Sequence, residues 1–307
     1  MLTPWGDLAV SDAHVHFFSH SFFSRLLQER GDPPEAIQPA LSQLGWEAAP
    51  LKPEGLARRW VEELDRHGVH RCALIASVHG DEMAVAAALR AYPNRFVGYF
   101  MVNPLAPDAE NRTRAAFESG LSALCLFPAM HRFPLQDPKV EQLIAIAAQH
   151  GKAVFVHCGF LSVGVRKRLG LPSQFDLRFS SPLDVGMLAQ RFSKTPFLIP
   201  HFGAGLFREA LMVADLCPNV YLDTSSSNEW RRYEGLTLRQ VFERALQVVG
   251  SSRLLFGTDS SWFPRGWNRA VFDQQVEILQ QIGISPEDAG RILGGNLNRL
   301  LTGSGGS

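Results

Sequence analysis

Short apolar runs alternate along the chain with longer stretches in which apolar residues recur every three to four positions. Runs of four to eight apolar residues fit buried strands, and the wider spacing fits helices with one face on a core. The strand pattern falls at residues 8–13, 72–78, 96–102, 122–126, 153–156, 197–199, 220–222 and 253–256. Helical spacing fills the intervals at 54–67, 81–91, 107–119, 138–150, 183–192, 205–216, 237–249 and 268–282. Pro53 and Gly68 bracket the first of these helices as start and stop signals. A last helix, at 286–301, is expected to pack against the outside of the structure. Regular alternation implies parallel strands, and eight such units imply a closed (β/α)₈ barrel, an α/β TIM barrel. Two connections, 17–53 and 159–182, are too long for turns and predict lids or binding loops after strands 1 and 5.

The length of 307 residues suits one such barrel, which commonly needs roughly 250. The expected division is one domain over 1–302, with 303–307 (Gly-Ser-Gly-Gly-Ser) a flexible tail or linker. Thirty basic residues balance thirty acidic ones, so charge suggests neither nucleic acid nor an anionic membrane as partner. A small-molecule substrate is the expected partner, and a homo-oligomer is left open. Cys72, Cys125, Cys158 and Cys217 show no paired spacing, which argues against a disulfide framework and for a cytoplasmic location. Residues 1–10 lack the pattern of a signal peptide, and no apolar run reaches the ~20 residues of a membrane span.

Four polar motifs stand at the ends of four predicted strands: Asp12-Ala13-His14-Val15-His16, the Val156-His157 step, Pro200-His201-Phe202-Gly203, and Gly257-Thr258-Asp259. Residues two apart on a strand point the same way, so His14 and His16 can face one ion. In a closed barrel the four strand ends converge on one mouth, where chemistry occurs in this fold. Imidazole and carboxylate suit Zn²⁺ or a similar divalent ion. A single histidine after a strand is more often a hydrogen-bonded structural residue than a ligand; the conjunction of four carries the argument.

In these motifs the chain resembles the amidohydrolase superfamily, and within it amidohydrolase family 2. The resemblance covers nearly the whole chain: DAHVH at 12–16, VFVHCG at 154–159, PHFGAG at 200–205, LLFGTDSSW at 254–262 and ILGGN at 292–296. It implies that His14, His16 and His157 bind metal, that Asp259 binds metal and handles protons, and that His201 acts near the substrate or a second metal. Many members carry on the fourth strand a lysine, carboxylated to bridge two metals. Here Cys125 stands at that place, and a thiol cannot form the carbamate. One divalent ion is therefore expected, Zn²⁺ first and Mn²⁺ second, with Cys125 either a ligand or a small core residue.

The resemblance implies hydrolysis of an ester, lactone or amide, with Asp259 moving protons and His201 polarising the carbonyl or stabilising the developing oxyanion. It also leaves open a non-oxidative decarboxylase of an unsaturated or aromatic acid, and, third, a non-catalytic binding barrel. Arg265, six residues past Asp259, is the preferred contact for a substrate carboxylate. Arg166, Lys167, Arg168 and Arg178 offer further cations or a solvated charge run. His79 and His131 either line the mouth as substrate contacts or sit in solvated loops. His67 and His150 fit helix ends, and His20 and His70 have no supporting context. Phe17, Phe18, Phe22, Phe23 and Trp46 form either an apolar lid or a subsidiary core under the first long loop.

Overall fold

The computed structural model of the chain describes residues 1–173, 175–225 and 230–301. Among them nine parallel strands form one curled sheet: β1 (Ser11–His16), β2 (Arg71–Ala76), β3 (Phe96–Met101), β4 (Ala123–Leu126), β5 (Ala153–Val156), β6 (Phe197–Ile199), β7 (Val220–Asp223), β8 (Leu254–Leu255) and β9 (Ser260–Ser261). The spatial order β8-β7-β6-β5-β4-β3-β2-β1-β9 is chain order closed on itself. Closure runs through Ser260 beside Val15 and Ser261 beside His16. The Ala13 amide adds a 2.7 Å bond to the Phe256 carbonyl. β8 and β9 are thus two pieces of the eighth barrel strand, and the fold is the expected TIM barrel. The expected tail at 303–307 lies outside the described residues.

Strand periodicity sorts the side chains into two cores. Along β2, Cys72, Leu74 and Ala76 face the surrounding helices, while Ala73 and Ile75 join Val97, Tyr99, Cys125 and Phe155 inside the barrel. Both faces are dry, which is why the strands read as continuous apolar runs rather than alternating ones. The helix Pro53–His67 shows the outer layer's logic. Proline opens it, Gly68 closes it in the left-handed conformation, and Leu56, Ala57, Trp60 and Leu64 make its buried stripe.

Three expectations need correction. β1 was expected at 8–13, leaving both histidines past its end; it spans Ser11–His16 and carries them, because residues 8–10 are drawn to the chain's ends instead. Leu8 donates its amide to the Met1 carbonyl, and Gly294 packs on the Ala9 carbonyl. The segment 286–301 is not one outer helix. It divides into Pro286–Gly290, a π-helical turn Arg291–Gly295 and Asn296–Leu301. Leu297 enters the barrel interior, and Asn296 Nδ2 donates to the Ser251 and Leu254 carbonyls at 2.7 and 2.8 Å. These contacts lie at the strands' starting ends, so the chain terminus closes the barrel floor. Finally, the eighth strand is broken where a single run was expected.

At the opposite face the two long connections meet. Arg166 holds Glu29 through two bonds of 2.7 and 2.6 Å, Arg30 reaches the Leu169 carbonyl at 2.7 Å, and Arg168 lies 5.7 Å from the Trp46 ring centroid. The five aromatics of the first connection are all buried. Phe18, Phe22 and Trp46 also line the cavity beneath, so that connection is both core and roof.

Candidate metal centre

β1 delivers His14 and His16 to the barrel mouth on either side of buried Val15. Opposite them Asp259 Oδ1 lies 2.9 Å from His16 Nε2 and 3.6 Å from His14 Nε2. One ligand atom from each of the three residues falls within 4.8 Å of the others. The Nδ1 nitrogens face away. His14 Nδ1 donates to Asp223 Oδ2 at 2.5 Å. His16 Nδ1 meets Ser77 Oγ at 2.7 Å, and that hydroxyl passes its own hydrogen to the Ile75 carbonyl. Metal-binding histidines are held in this way, by outer partners that fix ring orientation and leave Nε2 for the ion.

Asp12 anchors the first motif. Its carboxyl accepts the amides of His14 (2.9 Å) and Thr258 (3.1 Å) and the Trp267 indole N–H (2.8 Å). The Thr258 bond ties β1 to the gap in the eighth strand, the Trp267 bond ties it to the segment beyond, and together they set the distance between the histidines and Asp259. Burial pushes the Asp12 carboxyl up to about 6 despite the donors.

His157, just past β5, is 2% exposed and stacks on Phe127 at 5.2 Å between ring centroids. Both its ring nitrogens are buried without a hydrogen-bond partner. Leaving such groups unmade costs about 1–3 kcal/mol each, a cost that a coordinated ion would remove from one of them. His157 stands outside the three-residue group, with its ring 5.3 Å from that of His201. His201 Nδ1 lies 2.8 Å from Ser225 Oγ and 3.1 Å from the Ser225 carbonyl.

The backbone here is strained. His201, Phe202, Gly203, Ala204 and Gly205 all have positive φ, and so does Asp259 (φ 55°). For residues with a side chain this conformation costs about 1–2 kcal/mol each, and it clusters where function requires it. Electrostatics follow the geometry. Burial alone would raise the Asp259 carboxyl, but the His16 hydrogen bond and the charge of His14 outweigh it and hold it well below the carboxylate range. Burial would lower His14, yet Asp223 lifts it to about 8. Burial keeps His157 and His201 low and neutral.

A cavity of about 630 Å³ opens over these groups. His14, His16, His157, His201 and Asp259 form its polar floor, and Phe18, Phe22, Trp46, Phe127, Phe175 and Phe263 give it apolar walls. Arg265, His79 and His131 line it as well. Arg265 is exposed at the rim and donates to the Asp259 carbonyl at 2.9 Å. His79 spends both nitrogens on the fold, accepting the Asn103 amide and meeting Asp108 at 3.1 Å. His131 keeps a buried Nδ1 without a partner, and burial pushes its ring down to about 4. Of the loop cations, Arg166 and Arg168 line the cavity while Arg178 is exposed and paired with Asp176. Cys125 is fully buried inside the barrel and belongs to no metal-ligand group among the described residues.

Sequence reasoning missed Asp223, Ser225 and Ser77. Asp223 carried the same signal as the residues that were found, a polar group directly after an apolar strand run, Val220-Tyr221-Leu222.

A model of the family described as Amidohydrolase, the second amidohydrolase family, matches residues 11–302. Among curated proteins, the Emericella nidulans protein fluG is 26% identical over 162 residues, 51% of this chain. The chain spans only 17% of that relative's length. Solved structures that share the fold include three with a bound ligand or metal. A probable 2-pyrone-4,6-dicarboxylic acid hydrolase from Acinetobacter baumannii, with citric acid bound, is 14% identical at TM-score 0.63, covering 95% of this chain and 99% of its own. An amidohydrolase from Burkholderia multivorans with bound zinc is 15% identical at TM-score 0.64, covering 95% and 98%. A dihydroxybenzoic acid decarboxylase from Polaromonas sp. JS666, with manganese and 2-nitroresorcinol, is 17% identical at TM-score 0.60, covering 96% and 97%.

Proposed function

We propose, for a chain that belongs to amidohydrolase family 2, that it is a hydrolase working with one divalent cation, zinc first and manganese second. His14, His16, His157 and Asp259 would hold the ion, and the substrate would be a small carboxylate-bearing ester, lactone or amide. The observation that carries the metal reading is the donor set itself. Three ligand atoms converge within 4.8 Å, and the buried His157 beside them has neither nitrogen satisfied. Imidazole with carboxylate is a zinc-type set. Cys125, in place of a bridging lysine, favours one ion rather than two.

The ion, when bound, supplies Lewis acidity and makes water a nucleophile near neutral pH. Asp259 is ionised and placed against His16, so it takes the proton of the attacking water and returns it to the leaving group. General acid–base help of this kind is worth ~10²–10⁴-fold. His201 faces the reacting group as a second proton-handling ring. Arg265 holds a carboxylate at the rim by its planar fork, and His131 offers a neutral ring deeper in the wall. The aromatic walls exclude water and take the apolar body of the substrate.

The decarboxylase reading uses the same residues, with His201 delivering a proton to carbon, and the likeness to the manganese-bound decarboxylase supports it. Hydrolysis is preferred because it asks for fewer specialised groups. The test is elemental analysis after loading with zinc or manganese, followed by a panel of lactones, esters, amides and unsaturated acids. About one ion per chain and turnover without carbon dioxide are expected. Two tightly held ions would refute the single-ion site, and carbon dioxide release would select the lyase. His157→Ala should lose metal, whereas His201→Ala should keep it and lose rate; a metal-free His201→Ala protein would make His201 a ligand.

A further inference from the structure

The end of β7 connects two histidines that the sequence places 187 positions apart (201 − 14). Asp223 Oδ2 takes the hydrogen of His14 Nδ1 at 2.5 Å. Its other oxygen accepts the Ser225 amide at 2.7 Å, a turn that fixes where Ser225 sits. Ser225 then meets His201 Nδ1 with both its hydroxyl (2.8 Å) and its carbonyl (3.1 Å). Its hydroxyl also lies 3.3 Å from His14 Nδ1. A carboxylate and a carbonyl only accept hydrogen bonds. Each therefore requires the hydrogen to be on Nδ1 of the ring it meets.

The surroundings are built for this contact. A Cβ on Gly257 would fall 2.5 Å from Asp223 Oδ1 and 3.0 Å from the His14 Cβ, so only glycine leaves the carboxylate room. Thr224, between the two residues, is held by its amide to the Leu255 carbonyl at 2.9 Å and by its hydroxyl to Gln275 at 2.7 Å. The segment is pinned on both sides and buried throughout.

We propose that Asp223 and Ser225 are positioning residues that fix the tautomers of His14 and His201, so that each neutral ring turns an unprotonated Nε2 toward the metal position. The consequence rests on the metal-centre reading and sharpens it. His14 is preset as a ligand through Nε2. Neutral His201 can only accept at Nε2, so it takes up a proton; it donates to a substrate oxygen or carbon only after becoming an imidazolium. A carbonyl-polarising role for neutral His201 is thereby removed.

The test is two-bond proton–nitrogen correlation spectroscopy of the zinc-loaded protein labelled with ¹⁵N-histidine, with signals assigned from His14→Gln and His201→Gln variants. Protonated Nδ1 and unprotonated or metal-shifted Nε2 are expected for both rings. A neutral His14 or His201 ring that carries its hydrogen on Nε2 in the wild-type protein overturns the proposal. Zinc release to a competing chelator gives the second readout. Asp223→Ala should weaken zinc binding about 10- to 100-fold, and Asp223→Asn, which keeps an acceptor oxygen, should recover most of it. Ser225→Ala keeps the carbonyl and should leave the His201 tautomer unchanged. Unaltered zinc retention in folded Asp223→Ala protein also overturns the proposal, and if that variant does not fold, the Asn variant and the wild-type spectra decide. Wild-type protein that takes up no zinc overturns the metal-centre reading alone, since the tautomers are still read in the metal-free protein at pH 9, above the value of about 8 that Asp223 gives His14.

Discussion

Gly159 follows His157 by two residues and adopts φ +71°. A Cβ there would stand 2.1 Å from the Gly203 carbonyl oxygen and 2.4 Å from that of Ala204. Both obstacles are backbone, in the left-handed turn that carries His201, and the neighbouring Phe160 amide bonds to the Ala204 carbonyl at 2.7 Å. Gly159→Ala must therefore push two strand ends apart by about 1 Å to restore ordinary contact. Three costs add. The left-handed conformation of alanine costs about 1–2 kcal/mol, overpacking about 1–3, and the weakened hydrogen bond about 1. A total near 3–6 kcal/mol is a large share of the ~5–15 kcal/mol that holds a domain folded. The assay is urea unfolding of the variant beside Gly151→Ala. Gly151 has nearly the same φ, +62°, with nothing within 4 Å of its Cβ position. It should lose only the conformational part, about 1–2 kcal/mol. If the two variants lose the same stability, the turns after β5 and β6 are not in contact and the placement of His157 against His201 is wrong. Where Gly159→Ala still folds, kcat should fall about 100-fold, the usual result of misplacing a reacting group by 1 Å.

Burial raises the Asp81 carboxyl to about 7 against 3.8 in the unfolded chain, in spite of Ser19 donating to it. Its contribution is full below pH 3.8 and is lost as pH rises to about 7; Asp81→Asn should remove about 4 kcal/mol of that dependence, read as urea midpoints at pH 4 and 8, and parallel curves for both proteins would refute it. Arg265→Lys should lower kcat/KM on an acidic substrate because lysine lacks the bidentate fork, and an unchanged value in Arg265→Ala would make the arginine structural. Cys125→Ala should keep its metal and lose only packing, measured by elemental analysis and thermal unfolding; loss of the ion would make the thiol a ligand.

The barrel was legible because parallel strands buried on both faces leave short unbroken apolar runs, such as those at 72–76 and 153–156, that alternate with helical stretches along the chain. The ligand candidates were legible for a related reason: a polar residue directly after such a run has nowhere to go but the barrel mouth. Asp223 obeys that rule and was missed because an acidic residue at a strand end also fits a solvated turn; only the His14 ring of β1, brought to it across the barrel mouth, distinguishes the two. The break between β8 and β9 was hidden for another reason. Two-residue ladders leave no periodicity to read, and the left-handed Asp259 at the break is set by contacts to β1 rather than by its own neighbours in sequence.

The same contacts explain why the site can be costly and still persist. A barrel that needed only to fold would place an apolar side chain at 157, where two ring nitrogens are buried unsatisfied, and glycine at 201 and 259, where L-residues are strained. Each departure opposes folding by about 1–3 kcal/mol. What holds them is the bracing around them. Asp12 ties β1 to the eighth strand through two hydrogen bonds from Thr258 and to the segment beyond it through the Trp267 indole, Gly159 locks the turns of β5 and β6, and Asp223 joins β7 to β1. These ties link the ends of strands 1, 5, 6, 7 and 8, the strands that carry the proposed ligands, His201 and Asp223. The rigid part of the barrel mouth and the proposed chemistry therefore coincide, while the roof of the two long connections is held by ion pairs such as Arg166 with Glu29. Among the described residues these two connections share no strand ladder with the barrel sheet, so substrate exchange is expected where they meet while the floor keeps its geometry.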